Sequence, residues 1–272
     1  MKPNIILLVI DSLRSDNCYG EDKTSITPNI DSLINKGFYF SQAISSIAST
    51  SPSMGSMFTG MFPFKTGMSH DAYEKLNSTI PTYIEHLKKN DYTTFATTSE
   101  VNSFLGLTED FDLKLESSSH NNYFSLFKGL GEKILTKLDS SLEEPWFFYI
   151  HVNDLHQPII VPKNFDNEQF GETDYERMIS AIDSWIGNLL KKINLENTLI
   201  ILTADHGEYI RSLKISNKFY NLESGIGEKT LWKIGNKVPS SLYGPKRKIS
   251  SVLHKIRNSN RERKIKDLDL SK

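Results

Sequence analysis

Asn4 is followed by an unbroken apolar run, residues 5–10, and the run ends on a carboxylate, Asp11. A stretch rich in β-branched residues with apolar side chains on both faces marks a central parallel strand covered by helices, since a half-exposed strand alternates instead. In open parallel sheets ligands bind beyond the carboxyl ends of the strands, so Asp11 stands where a functional group is expected. The structural alternative for the same residue is a turn former or helix cap.

The remainder of the chain continues this alternation. Thr27-Pro28-Asn29 opens a helix over residues 30–36, closed by Gly37 as a C′ glycine, and residues 38–43 read as a strand. Residues 45–53 form a hydroxyl-rich turn; Pro52, as the first helical residue, starts a helix over 53–58 and leaves Thr50 and Ser51 at its N-terminus. An amphipathic helix is predicted over 81–89, with strands over 92–98 and 146–152. Over residues 173–193, Tyr175, Met178, Ile179, Ile182, Ile186, Leu189 and Leu190 recur at helical spacing. The apolar strand 197–202 then runs directly into Thr203-Ala204-Asp205-His206-Gly207-Glu208. Strands alternating with helices predict one doubly wound, mostly parallel α/β sheet with helices on both faces.

Two hundred and seventy-two residues, 38% of them hydrophobic, suffice for a large core. The net charge of −1 gives no global field toward nucleic acid or an anionic membrane. Cys18 is the only cysteine, so no internal disulfide forms, and it is expected as a small buried side chain. The first apolar run is too short for a signal sequence, and no stretch approaches the ~20 apolar residues of a membrane helix. A cytoplasmic protein without a membrane span is therefore expected. Beyond Tyr209 lysine and arginine dominate, with basic runs at 246–248 and 261–266 that read as a solvated helix face. The chain thus divides into an α/β domain over 1–210 and a basic, mainly helical or irregular extension over 211–272.

Four segments in order and spacing resemble the sulfatase family of the alkaline-phosphatase superfamily. They are Val9-Ile10-Asp11-Ser12 with Thr27-Pro28-Asn29-Ile30-Asp31, then Thr50-Ser51-Pro52-Ser53-Met54 with Thr59-Gly60, then Tyr149-Ile150-His151 through His156-Gln157-Pro158, and finally 175–190 with Asp205-His206-Gly207. The resemblance covers roughly residues 4 to 210 and implies hydrolysis of sulfate or phosphate esters of small anions or glycans. It implies a divalent metal held by Asp11, Thr50, Asp205 and His206. Thr50 would be the metal-activated nucleophile, His156 and His151 would contact the ester or protonate the leaving group, and Ser53 and His156 would bind substrate. The residue types suit that chemistry, which needs a nucleophile, an electrophile for the non-bridging oxygens and a proton source. With imidazole among the ligands, zinc or manganese is favoured over calcium.

Departures from the family pattern shape the remaining expectations. Thr50 stands where sulfatases oxidise Cys or Ser to formylglycine, and a secondary alcohol cannot give that aldehyde; Ser49 and Ser51 flank it. Met54 replaces the signature Arg, Ser12 a common second Asp, and the Gly-Lys-x-His segment is missing near Thr98-Ser99-Glu100-Val101. The C-terminal subdomain is short or missing, with Lys214, Lys218, Lys229 and His254 as candidates there, or a partner chain completes the site. A phosphoethanolamine-type head-group transferase and a non-catalytic binding module are the alternative functions. His70, His86 and His120 are assigned surface or helix positions, and Phe62, Phe64, Tyr83 and Trp185 the core.

Overall fold

The computed structural model describes residues 2–21, 23–68, 74–98, 100–116, 125–156, 159–208, 212–215 and 218–221. His70, His120, Gln157, Pro158, Lys229, His254 and both basic runs lie outside them. In chain order the elements are β1 (Asn4–Ile10), α1 (Pro28–Lys36), α2 (Thr50–Thr59), α3 (Pro63–Thr66), α4 (Tyr83–Lys89), β2 (Thr93–Thr98), α5 (Glu100–Phe104) and β3 (Leu113–Glu116). There follow α6 (Leu130–Asp139), β4 (Trp146–Val152), α7 (Asp174–Leu190), β5 (Thr198–Thr203) and the pair β6 (Ser212–Ile215) and β7 (Lys218–Asn221).

Five strands form one parallel sheet in the order β3-β2-β4-β1-β5. Every residue of β4 is buried, and all of β1 except Ile5, as the apolar runs require. On one face Ile6, Leu8, Ile10, Phe148 and Ile150 pack with Ile30 of α1, Ile134 of α6 and Ile182 and Ile186 of α7. On the other, Leu7, Val9, Phe147 and Tyr149 pack with Met54 and Phe58 of α2 and Ile84 of α4. Burial of each such large side chain contributes about 1.5–3 kcal/mol. The sheet is therefore covered by helices on both faces. Among the described residues no helix is long and apolar enough to cross a membrane.

α7 begins with a capping box: Thr173 accepts from the Glu176 amide while the Glu176 carboxylate accepts from that of Thr173. Asp183, buried in α7, accepts from the amides of Asn29 at 3.1 Å and Ile30 at 2.8 Å. Thr27 supplies no side-chain cap to α1, so a carboxylate from a distant helix satisfies its first donors.

Several local expectations are corrected. Residues 38–43 form no strand; Phe38 is 95% and Phe40 76% exposed, because a run of aromatic residues makes a strand only where a neighbouring strand offers a ladder. Pro52 is the third residue of α2, which begins at Thr50 after an extended Ser49; in the first turn its missing N–H is unneeded anyway. Gly37 has φ −117°, outside the left-handed region, and is required by close approach: an added Cβ would meet the Leu33 carbonyl oxygen at 2.9 Å. Phe62 and Phe64 are exposed and stacked on each other, since four-residue α3 turns Pro63 and Thr66 inward instead. Trp185 and Cys18 are buried, and burial pushes the Cys18 thiol up to about 11. The 211–272 extension begins with an antiparallel hairpin, β6–β7, a sheet separate from the main one.

Candidate active site

Sheet register brings the polar tips together. Val9 of β1 lies opposite His151 of β4 on one side and Thr203 of β5 on the other, so the residues just beyond share one row. Asp11 follows β1, Asp205 follows β5, and Thr50 opens α2 above them. All four expected ligands meet there. The Thr50 hydroxyl is 3.2 Å from Asp11 Oδ2 and 3.1 Å from His206 Nε2, and His206 Nε2 is 3.9 Å from Asp11 Oδ1 and 3.5 Å from Asp205 Oδ2. His151 joins them, its Nε2 3.8 Å from Asp11 Oδ2. Ligand atoms of Asp11, His151 and Asp205 all lie within 4.8 Å of one another.

The loop after β1 is built to present Asp11. Ser12 adopts φ +60°, a left-handed conformation that glycine favours, and its polar groups are all tied. Its amide donates to Asp205 Oδ1 at 3.1 Å, its hydroxyl to Asp11 Oδ1 at 2.6 Å, and its carbonyl accepts from the Tyr175 hydroxyl at 2.6 Å. The Tyr175 oxygen also accepts from the Arg14 amide at 2.9 Å. Removing that hydroxyl as Tyr175→Phe leaves a donor and an acceptor without their partner, at about 1–3 kcal/mol. Zinc affinity is expected to fall about 3- to 10-fold, by analogy with groups that orient ligands, with helical circular dichroism unchanged; unchanged affinity in a chelator-competition titration would contradict the role.

Ser53, expected at the substrate, is buried and donates its hydroxyl to the Asp205 carbonyl oxygen at 2.6 Å; Ser45 donates to the same oxygen at 2.6 Å. Both fix the Asp205 turn. Met54, in the place of the signature Arg, is fully buried in the core, and His86 is exposed on α4. His156 is half-buried in the turn after β4, close enough to act electrostatically on Asp11.

Burial raises the pKa of Asp205, and the neighbouring charge of Asp11 raises it further. Burial pushes Asp11 the same way, but the neighbouring imidazoles of His151 and His156 and the Ser12 hydroxyl together hold it well below the carboxylate range. Burial alone would lower His151, yet the nearby carboxylates of Asp11 and Asp205 leave it raised.

The donor set fits a divalent cation. Asp11 and Asp205 are each 1% exposed, and among the described residues neither is ion-paired to lysine or arginine. Asp205 Oδ2 and His151 Nε2 are buried with no hydrogen-bond partner there. Two adjacent carboxylates taken out of water demand compensating charge. Oxygen and imidazole donors suit zinc or manganese.

Sequence reasoning missed Tyr149, whose hydroxyl lies 2.7 Å from His151 Nδ1, Thr97, which accepts from the His151 amide at 2.7 Å, and Tyr175. Period-2 spacing was the available signal for the first, since Tyr149 and His151 share a face of β4.

The model of the Sulfatase family matches residues 3–264. The chain is 26% identical over 265 residues to the ulvan-active sulfatase of Formosa agariphila, covering 90% of this chain and 49% of that protein. It spans about a third to a half of the curated relatives it matches first. Its fold is similar to the crystal structure of the phosphonate monoester hydrolase of Agrobacterium radiobacter, with TM-score 0.63 and 16% identity over 76% of this chain and 63% of that one. It is also similar to the lipoteichoic acid synthase LtaP of Listeria monocytogenes, with TM-score 0.56 and 17% identity over 76% and 57% of the two chains.

Proposed function

The chain belongs to the sulfatase family of the alkaline-phosphatase superfamily, and from that premise we propose that it hydrolyses sulfate or phosphate esters with Thr50 as nucleophile. The observation that carries this reading is the Thr50 hydroxyl between Asp11 Oδ2 and His206 Nε2, each at hydrogen-bond distance. Asp11, Asp205, His206 and the Thr50 hydroxyl would hold the metal. When bound, it supplies Lewis-acid stabilisation of the anion and activation of a hydroxyl that is a poor nucleophile at neutral pH.

The chain's own groups account for the rest. The Thr50 proton passes to Asp11 Oδ2, to which the hydroxyl donates, as Oγ1 bonds to sulfur or phosphorus and the ester oxygen departs. His156 or His151, just after and on β4, contacts the ester oxygens or gives the departing oxygen its proton. Water then discharges the Thr50 adduct. The α2 N-terminus has no side-chain cap, so the positive end of its dipole faces the anion. The relative active on ulvan supports a sulfated glycan as substrate class. The absence of a formylglycine precursor and the likeness to LtaP favour a second reading, head-group transfer through the same Thr50 adduct.

Turnover and mass spectrometry separate these. Chelator-stripped protein reloaded with zinc or manganese is expected to release product from an aryl sulfate, a phosphate monoester or a diester over many cycles, with a transient adduct on Thr50. An adduct that water never discharges supports transfer; neither adduct nor turnover with any of these overturns both.

A further inference from the structure

His151 and His206 each turn Nε2 toward the carboxylates, and their Nδ1 atoms meet opposite kinds of partner. His206 Nδ1 lies 2.8 Å from the Gly207 carbonyl oxygen. A carbonyl only accepts, so Nδ1 of the neutral ring carries the proton and Nε2 is bare, facing Thr50 and Asp205. That is the arrangement of a metal-ligating histidine whose second nitrogen is fixed by a carbonyl.

His151 Nδ1 instead lies 2.7 Å from the Tyr149 hydroxyl. Tyr149 is fully buried, edge-on to Phe58 with centroids 5.0 Å apart, and among the described residues its hydroxyl has no other hydrogen-bond partner. If His151 Nδ1 carried the proton, the hydroxyl hydrogen would be buried without an acceptor, at about 1–3 kcal/mol. We infer that Tyr149 donates to His151 Nδ1 and so keeps the proton on Nε2, making His151 a fixed hydrogen-bond donor into the site and leaving His206 as the imidazole ligand of the cation.

This assignment takes the cation from the function proposed above and divides the two histidines between its two tasks. At 3.8 Å from Asp11 Oδ2, His151 Nε2 is too far for a hydrogen bond, so its proton is free for an oxygen of the substrate. Backbone and ring are each held, since the His151 backbone amide donates to Thr97 Oγ1 at 2.7 Å while Tyr149 holds ring Nδ1. Tyr149 is thus a positioning residue.

The test is a long-range proton–nitrogen correlation spectrum of the whole chain labelled with ¹⁵N-histidine, at about pH 9, above the range in which histidines titrate, before and after zinc chloride. His151 is expected as the Nε2-protonated tautomer in both spectra. His206 is expected as the Nδ1-protonated tautomer, with its Nε2 resonance moving on addition of zinc. In Tyr149→Phe, His151 should populate both tautomers while zinc affinity stays within about threefold. His206→Ala should weaken zinc about tenfold or more, and His151→Gln, which keeps an N–H donor, should leave it nearly unchanged. An Nδ1-protonated His151 in the wild-type spectrum, or loss of zinc affinity in His151→Gln equal to that in His206→Ala, overturns the inference. None of these readouts uses turnover, so a chain inactive on every ester sinks the proposed reaction and leaves the tautomers decided. Failure to bind zinc removes the ligand role of His206, and the zinc-free spectrum still decides the claim for Tyr149.

Discussion

Thr50→Ala is expected to lower turnover by roughly 10³-fold or more, the scale of removing a nucleophile that acts as one unit with its neighbours, while the protein stays folded and still binds metal. Thr50 is the first residue of α2 and only half-buried, so truncation leaves no core cavity. Its hydroxyl is the group that meets both Asp11 and His206. Thr50→Ser keeps that hydroxyl and should retain measurable activity; Thr50→Val keeps the shape and should behave as alanine. Ser49 caps α2 in an extended conformation and neither it nor Ser51 hydrogen-bonds the carboxylates, so Ser51→Ala should remain active. If Ser51→Ala is dead and Thr50→Ala active, the nucleophile lies one residue further on.

Asp205→Asn is the second large effect, and its two consequences have opposite signs. The amide oxygen can still accept from the Ser12 and His206 backbone amides, as Oδ1 does at 3.1 and 2.9 Å, so the turn survives. The orphaned Oδ2, however, becomes an amide nitrogen and can no longer hold a cation. Metal affinity should fall more than about 100-fold, beyond the 10- to 100-fold typical for groups that merely support a ligand. The metal-free protein should be no less stable than wild type, because a buried carboxylate beside Asp11 has been neutralised. In wild type, metal at about 100 times its dissociation constant adds about 2.7 kcal/mol to stability; in Asp205→Asn that gain should vanish. Thermal melts with and without zinc read both. A variant that melts well below wild type without metal would show that Asp205 is a structural residue.

What was legible in the sequence is what short-range pattern dictates. The apolar runs leading to Asp11 and Asp205 declare strands, of which β1 is central and β5 lies at the edge of the described sheet, and seven apolar positions at helical spacing declare α7. It is the parallel pairing of β5 with β1 that sets their polar tips side by side. Hidden from the sequence was anything set by long-range pairing. Residues 38–43, led by Phe38, Tyr39 and Phe40, read like a strand and find no ladder partner among the described residues. Leu113–Glu116 is four residues long, too brief for its period to show, and becomes β3 only because Phe95 to Thr98 of β2 lies beside it. Ser53 carried a family expectation of substrate contact, while the fold aims its hydroxyl at the Asp205 carbonyl. Tyr175 reads as one more apolar position of α7; that its hydroxyl holds the loop carrying Asp11 depends on a contact 163 residues away.

The central claim is that groups from the ends of β1 and β5 and the start of α2 gather one cation beside the Thr50 hydroxyl. Anomalous scattering at the zinc edge from crystals grown with zinc tests it directly. The account predicts one strong peak, within about 2.0–2.2 Å of Asp11, Asp205 and His206 ligand atoms and in contact with Thr50 Oγ1. A peak elsewhere, or a loaded crystal in which His206 stays off the ion, would contradict it.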